Sequence, residues 1–413
     1  MDGVPSRPKR PRDRRSQLAA VASELFRERG YHGVSINDIA AAAGVTGPAL
    51  YRHFPDKQAV LAHVLLTGLS DMEAATEAAL DAEHADTTRI RELLERLAAR
   101  AVERRDVAAL WRWEGRHLDP ESRQEVRRRS AAMLSAWSKV LLRRRPELSP
   151  EDAELLCWAA LSVFGSVSVH RTRLPKRRFA QLLSTLALRV LHTDLPAPPA
   201  VDNGDDTGDE DEGGSASPRQ APGPPPLPPS RRERLLTEAA ELFRRRGFTD
   251  VSMEDIGQAA GIAGPSVYRH FSGKAGLLAA IGRRAGDRLA RGAEQAVRSS
   301  APPDEREALR RLVDSYVRTL TGPPELLVAF SVDHVHIAER DRAELVRIQR
   351  DYVAQWVGLA QAVHPESDTR EIKIVVHAAL TIANDLTRTR RVAGRDNLAT
   401  ELATLLRAVL DVR

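Results

Sequence analysis

The chain has 413 residues, a single cysteine and a formal net charge of +5. That length argues for at least two domains, because one core rarely serves much more than about 250 residues. Cys157 alone excludes an intramolecular disulfide and any cysteine-based zinc site, and it fits a reducing cytosol.

Ala, Leu and Arg are plentiful, and alternating β-branched runs are nearly absent, so the expected fold class is all-α. The opening MDGVPSRPKRPRDRR has no apolar core, so no signal peptide is expected, and residues 1–11 are a disordered basic arm. RRSQLAAVASELFRERG follows, with Leu18, Val21, Ala22, Leu25 and Phe26 on one helical face and Gly30 where a left-handed C-terminal glycine belongs. Ser35-Ile-Asn-Asp38 has the spacing of a capping box and opens a short helix that Gly44 stops. Thr46 caps a third helix, Pro48 sits in its first turn where no N–H is needed, and Leu50, Tyr51 and Phe54 lie along it. Short helix, glycine turn and short helix packed on a first helix spell helix-turn-helix architecture. Its start carries no acid, and Arg52 and His53 follow one turn later, so its positive end suits phosphate.

Beyond Leu61 the helical pattern continues. RIRELLERLAARAVERR is amphipathic, and Ser149-Pro150-Glu151-Asp152 is a strong start for a helix that is apolar nearly all round. The apolar run Leu155 to Val169 is too short to span a bilayer, so no membrane partner is expected; Gly165, Ser166 and Ser168 let another helix come close. A further helix covers Phe179 to Leu191. The segment 196–230 is rich in Pro, Gly, Ser and acid, among them Asp205, Asp206, Asp209, Glu210, Asp211 and Glu212, and reads as a disordered linker.

The two sides of that linker match. Leu18 to Leu61 aligns without a gap on Leu235 to Leu278, with Gly30 on Gly247 and Phe54 on Phe271. Self-similarity at that level marks an internal repeat. The match fades farther on but keeps Trp137 on Trp356 and His117 on His336; helices are expected over Ser367 to Arg390 and Leu398 to Val412.

GVTGPALYRHFPDKQAVL and GIAGPSVYRHFSGKAGLL, with V-S-x-x-D-I ahead of each, resemble the DNA-binding signature of the TetR family of bacterial repressors. The resemblance implies two modules, each a three-helix DNA-binding domain plus a helical ligand and dimerisation domain. Their boundaries would be 12–72 and 73–195, then 231–289 and 290–413, with the motifs at 35–54 and 252–271. It implies that Tyr51 and Lys57, with Tyr268 and Lys274, hold phosphates. Ser35 and Ser252 would cap their helices and touch phosphate. Gly47 and Pro48, with Gly264 and Pro265, would approach base edges, Thr46 beside them in the first copy; Arg52, His53, Arg269 and His270 complete the candidate DNA contacts. Phe54 and Phe271 are core. Two departures stand out: Ala263 replaces the usual capping Ser or Thr, and Pro48 and Pro265 replace a commoner glycine. The basic arm reads either as a minor-groove arm or as a solubilising tail.

In that family the last two long helices build a four-helix dimer interface. Two such pairs in one chain would make an intramolecular pseudo-dimer, and a linker of this length spans roughly 30 Å on average. The partners implied are an operator in double-stranded DNA, in the form of an imperfect palindrome, and an unidentified small-molecule effector; further self-association stays open. Trp111, Glu114 and His117, with Phe330, Asp333 and His336 at the matching places, are the candidate pocket residues. A buried His–acid pair or core aromatics is the plainer reading of both groups, and no cofactor or metal is expected. No P-loop, GxSxG, HExxH or dinucleotide fingerprint occurs, so an enzyme is not expected. The expected function is a ligand-responsive repressor in the bacterial cytoplasm, at the nucleoid. The alternatives are an activator, an adaptor that kept only the fold, and a regulator with one DNA-competent motif.

Overall fold

Leu18, Ala22, Leu25 and Phe26 turn one face of α1 (Arg14–Arg29) into a core that also takes Ile39 of α2 (Ile36–Ala42), Leu50 of α3 (Gly47–Tyr51) and Leu61 of α4 (Lys57–Leu80). The computed structural model describes residues 14–80, 86–113, 115–197, 230–298, 304–331 and 337–412. The first half continues with α5 (Asp86–Glu103), α6 (Arg105–Trp113), α7 (Pro120–Arg144), α8 (Pro150–Gly165) and α9 (Lys176–Leu191). The second half repeats the opening as α10 (Arg231–Arg246), α11 (Met253–Ala259), α12 (Gly264–Tyr268) and α13 (Lys274–Arg298). It goes on through α14 (Glu305–Thr321), α15 (Glu325–Ser331), α16 (Glu339–Val363), α17 (Thr369–Leu386), α18 (Arg390–Ala393) and α19 (Leu398–Leu410). Among the described residues there is no strand, and no helix is long and apolar enough to cross a membrane. The basic arm and nearly all of the linker lie outside the described residues. Of the linker's start, Pro196 is described, and its carbonyl accepts from Asn397 Nδ2 at 3.2 Å.

The local signals set the helix ends as their chemistry requires. The Ser149 hydroxyl accepts from the Asp152 amide at 3.0 Å, with Pro150 in the first turn of α8. Expected as one helix to Arg390, the second-half counterpart instead ends at Leu386. There the Arg388 amide reaches back only three residues, to the Asp385 carbonyl at 3.1 Å, and the Thr389 amide is shared between the Asp385 and Leu386 carbonyls at 3.0 and 3.1 Å. The Thr387 and Thr389 hydroxyls donate to the carbonyls of Ala383 and Asp385, both at 2.9 Å. Ser166 and Ser168 act alike behind α8, donating to Val163 and Gly165 carbonyls at 2.6 and 2.7 Å.

Among the described residues there are three apolar clusters: one centred on each opening module, and one that draws on both halves. In the shared cluster α8 packs along α17 and α9 meets α19. Leu155, Ala159 and Val163 from the first half and Ile374, Ala378 and Ile382 from the second are all fully buried there. Polar ties cross the same boundary. Arg395 binds Asp152 of the first half and the buried Glu401 of its own, and Arg178 Nε meets Glu371 at 2.5 Å.

Candidate nucleic-acid interface

Each opening module builds its exposed helix from the same local parts. The Ser35 hydroxyl accepts from the Asp38 amide at 3.1 Å, and Asp38 accepts from the Ser35 amide at 2.8 Å; Ser252 and Asp255 repeat both bonds at 3.0 and 2.8 Å. The Ser35 hydroxyl, then its amide, hold the Asp38 carboxyl below the usual range; at Asp255 the Ser252 amide contributes most. Gly44 and Gly261, both at φ +65°, turn the chain into the next helix, a conformation that side chains resist. Thr46 caps α3 through a long 3.4 Å bond from the Ala49 amide, whereas Ala263 offers α12 no side-chain cap.

From this platform Tyr51 and Tyr268 project into solvent, 54 % and 52 % exposed, where a packing tyrosine would be covered. Pro48, Arg52, Pro265, Arg269 and His270 are exposed as well, and His53, Gly47 and Gly264 half-buried. Leu50 and Phe54 in one copy, Val267 and Phe271 in the other, face inward and fix the helix. The result is a short helix whose N-terminal end and one polar face are open, in both copies.

Lys57 and Lys274, expected to hold phosphates, turn their ammonium groups to carbonyls of the loop after the first helix. Lys57 Nζ donates to the carbonyls of Tyr31 and Val34 at 2.8 Å each, and lies 4.1 Å from the Tyr31 ring centre. Lys274 Nζ donates to Phe248 and Thr249 carbonyls at 2.8 and 3.2 Å and lies 4.8 Å from the Phe248 ring. Each ammonium thus braces the loop after the first helix. A second brace went unforeseen: Arg15 stands 5.0 Å over the Phe54 ring, and Arg232 stands 5.1 Å over Phe271. Both cations and both rings recur in register in the sequence, and that recurrence was the available signal.

Of the six candidate pocket residues, Glu114, Asp333 and His336 lie outside the described residues, as do the side chains of Trp111 and Phe330. His117 is described and lines neither of the two mostly apolar cavities walled by both halves. Its ring stacks on Tyr31 at 4.8 Å and meets His32 edge-on at 4.5 Å, so it joins the body to the first opening module. The cavities lie elsewhere. One, of about 400 Å³, is walled by Met72, Leu97, Met133, Trp158 and Leu161 of the first half and by Asp385 and Arg388 of the second. The other, of about 490 Å³, is walled mostly by α13, α16 and α17, and by Phe26, Arg27, Leu110 and Val169 of the first half.

Comparison with known proteins agrees with this geometry. The family model of the bacterial regulatory proteins of the tetR family matches residues 18–64 and again residues 235–281. The HTH-type transcriptional activator FasR of Mycolicibacterium smegmatis is 38% identical over 86 residues, which are 21% of this chain and 38% of that protein. The HTH-type transcriptional repressor KstR2 of Rhodococcus jostii is 39% identical over 59 residues, 14% of this chain and 29% of its own. These matches span well under half of either relative. A crystal structure of a tetR-family regulatory protein from Rhodococcus RHA1 aligns with 44% of this chain and 98% of its own, at 23% identity and a TM-score of 0.40. The chain therefore carries the opening domain of the tetR family of bacterial regulatory proteins twice and in register, as a tandem duplication.

Proposed function

We propose that the chain is a sequence-specific DNA-binding transcriptional regulator of the bacterial cytoplasm, a ligand-responsive repressor that acts as a single-chain pseudo-dimer. The observation that carries this reading is the pair of exposed tyrosines, Tyr51 and Tyr268, on in-register helices, with the loop after each module's first helix braced in the same way. The core shared between α8 and α17 supports the pseudo-dimer, since it gives two readers one rigid base. Each exposed helix enters a major groove with its N-terminal end to the bases, and Tyr51, Arg52, Tyr268 and Arg269 meet phosphates. Because the two readers are nearly alike, the operator is an imperfect palindrome. The uncapped α12 makes the second half-site the weaker one. Repression is favoured by the family resemblance, although one matched relative is named an activator and another a repressor.

The test is binding to the DNA upstream of the chain's own gene, at two salt concentrations, with the molar mass of the complex. Salt-sensitive, specific binding with one chain per site supports the reading. Two chains per site replace the pseudo-dimer with a larger assembly. No binding to that fragment or to a genomic library overturns the DNA reading in favour of an adaptor.

A further inference from the structure

The two cavities are quasi-equivalent, and they are crossed. Trp158, Leu161, Ser162 and Gly165 of α8 line the first; the aligned His377, Leu380, Thr381 and Asn384 of α17 line the second. Each cavity also takes a wall from the opposite half. Beyond α17, Arg388 reaches the first-half cavity, and its counterpart Val169 reaches the second-half one. Here the symmetry stops. The second-half cavity is closed in part by α1 of the first reader, through Phe26, Arg27 and Gly30, and by Ala109 and Leu110 of α6. No residue of α10 lines the first-half cavity in return, among the described residues.

The chemistry of the second-half cavity is one-sided too. Its described lining is mostly apolar, from Leu278 and Leu289 to Tyr352 and Val353, and holds two guanidinium groups, Arg27 and Arg388, and no carboxylate. Arg388 lines both cavities, and α6 lies in the wall of both, which puts Arg388 at the end of the second cavity nearest the first reader. Arg27 now pairs with Glu24, which is more than half exposed, and an exposed pair of that kind exchanges at little cost. Near Arg388 the buried side-chain oxygen of Asn384 accepts no hydrogen bond, a polar atom left for an occupant to satisfy. The volume is that of a small-molecule site.

We propose that the second-half cavity binds an apolar carboxylate, its head group taken by Arg388 and Arg27, and that it thereby controls the DNA reader of the opposite half. A head group bridging α1 and the turn after α17 ties the first reader to the shared core. The second reader has no such tether, so one ligand acts unequally on the two half-sites. The regulatory part rests on reading α3 as a DNA-reading helix. The binding part does not.

The experiment uses the full chain without DNA, so its failure is separate from failure of the DNA reading. Decanoate and decan-1-ol, alike in tail and unlike in charge, are titrated calorimetrically, and amide exchange is followed with and without decanoate. One decanoate is expected per chain, bound about tenfold or more tighter than the alcohol, the effect of one or two charge-assisted hydrogen bonds. Arg388→Met and Arg27→Gln each weaken decanoate about tenfold and leave decan-1-ol unchanged. Val346→Trp, at the exposed mouth, blocks binding; Ser130→Trp, in the other cavity, does not. Exchange slows in α1 and not in α10. Absent binding, equal binding of acid and alcohol, indifference to Arg27→Gln, loss with Ser130→Trp alone, or protection of α10 in place of α1 each overturns the proposal. Should Arg388→Met fail to fold, Arg27→Gln decides, since that side chain is part-exposed.

Discussion

His170 and His377 stack their imidazoles 4.8 Å apart and 28° from parallel, one ring from each half of the chain. Burial lowers the His170 pKa to about 3, helped by His377, Arg105 and Lys373; burial and then Lys373 lower that of His377 to about 4. Both rings are therefore neutral in the folded chain and charge on unfolding below about pH 6.5. The unfolded state binds more protons as pH falls from there towards 4, so stability falls with it, by about 1.4 kcal/mol per pH unit for each proton taken up. Denaturant midpoints at pH 7 and pH 5 are expected to drop by more in the wild type than in His170→Asn/His377→Gln. Equal drops would place the pH response elsewhere.

Tyr51→Ala and Tyr268→Ala each are expected to weaken operator binding, by roughly tenfold if a phosphate hydrogen bond is lost, with thermal stability nearly unchanged because both side chains are exposed. Arg52→Gln is expected to lower the salt slope by about 1, which a neutral tyrosine cannot do. Titrations at several salt concentrations separate the two. A tyrosine variant with full affinity would remove that residue from the interface.

Thr46 and Ala263 occupy matching N-caps, one bonded and one bare. Ala263→Thr is expected to stabilise the second opening module by up to about 1 kcal/mol, and Thr46→Ala to destabilise the first by about 0.5 kcal/mol, its cap bond being long. Amide exchange in α11 and α12, against α2 and α3, reads each change locally. A gain in second half-site affinity with Ala263→Thr would tie the missing cap to DNA binding.

Arg395 ties the halves through one acid and is held by a second acid of its own half. It binds Asp152 across the boundary, and its Nε meets Glu401, 3 % exposed, at 2.8 Å. Arg395→Ala leaves the buried Glu401 charge without this partner and is expected to cost about 3–5 kcal/mol, whereas Arg395→Met with Glu401→Leu recovers most of the loss. Urea unfolding of the three variants checks this. Similar losses in the single and double variants would make the ion pair a net stabiliser rather than a charge that must be matched.

The linker bears on the same boundary. A protease site placed within residues 203–225 is expected to yield, after cleavage, two fragments that elute together, since α8, α9, α17 and α19 share one core. Fragments that separate at micromolar concentration would mean that the tether, by raising effective concentration, holds the halves together.

The sequence by itself determined the duplication, the all-helical class and the helix ends of the opening modules. Those are set within three or four residues: Ser35 with Asp38 and Ser252 with Asp255, Gly44 and Gly261 at their turns, and Thr46 with Ala49 in the first copy. It also sorted Phe54 and Phe271 inward, because helical spacing decides which face is apolar. Tertiary structure decided what short-range chemistry leaves open. Lys57 follows Tyr51 by six residues, yet its ammonium turns to carbonyls 26 and 23 residues back, because folding sets that loop's carbonyls within reach of the cation. Arg395 finds Asp152 across 243 residues, and Arg27 and Arg388 come to line one cavity from opposite halves. No local pattern encodes such pairs. They exist because two apolar helices, α8 and α17, bury more surface against each other than either could alone, and that packing carries distant charges into contact.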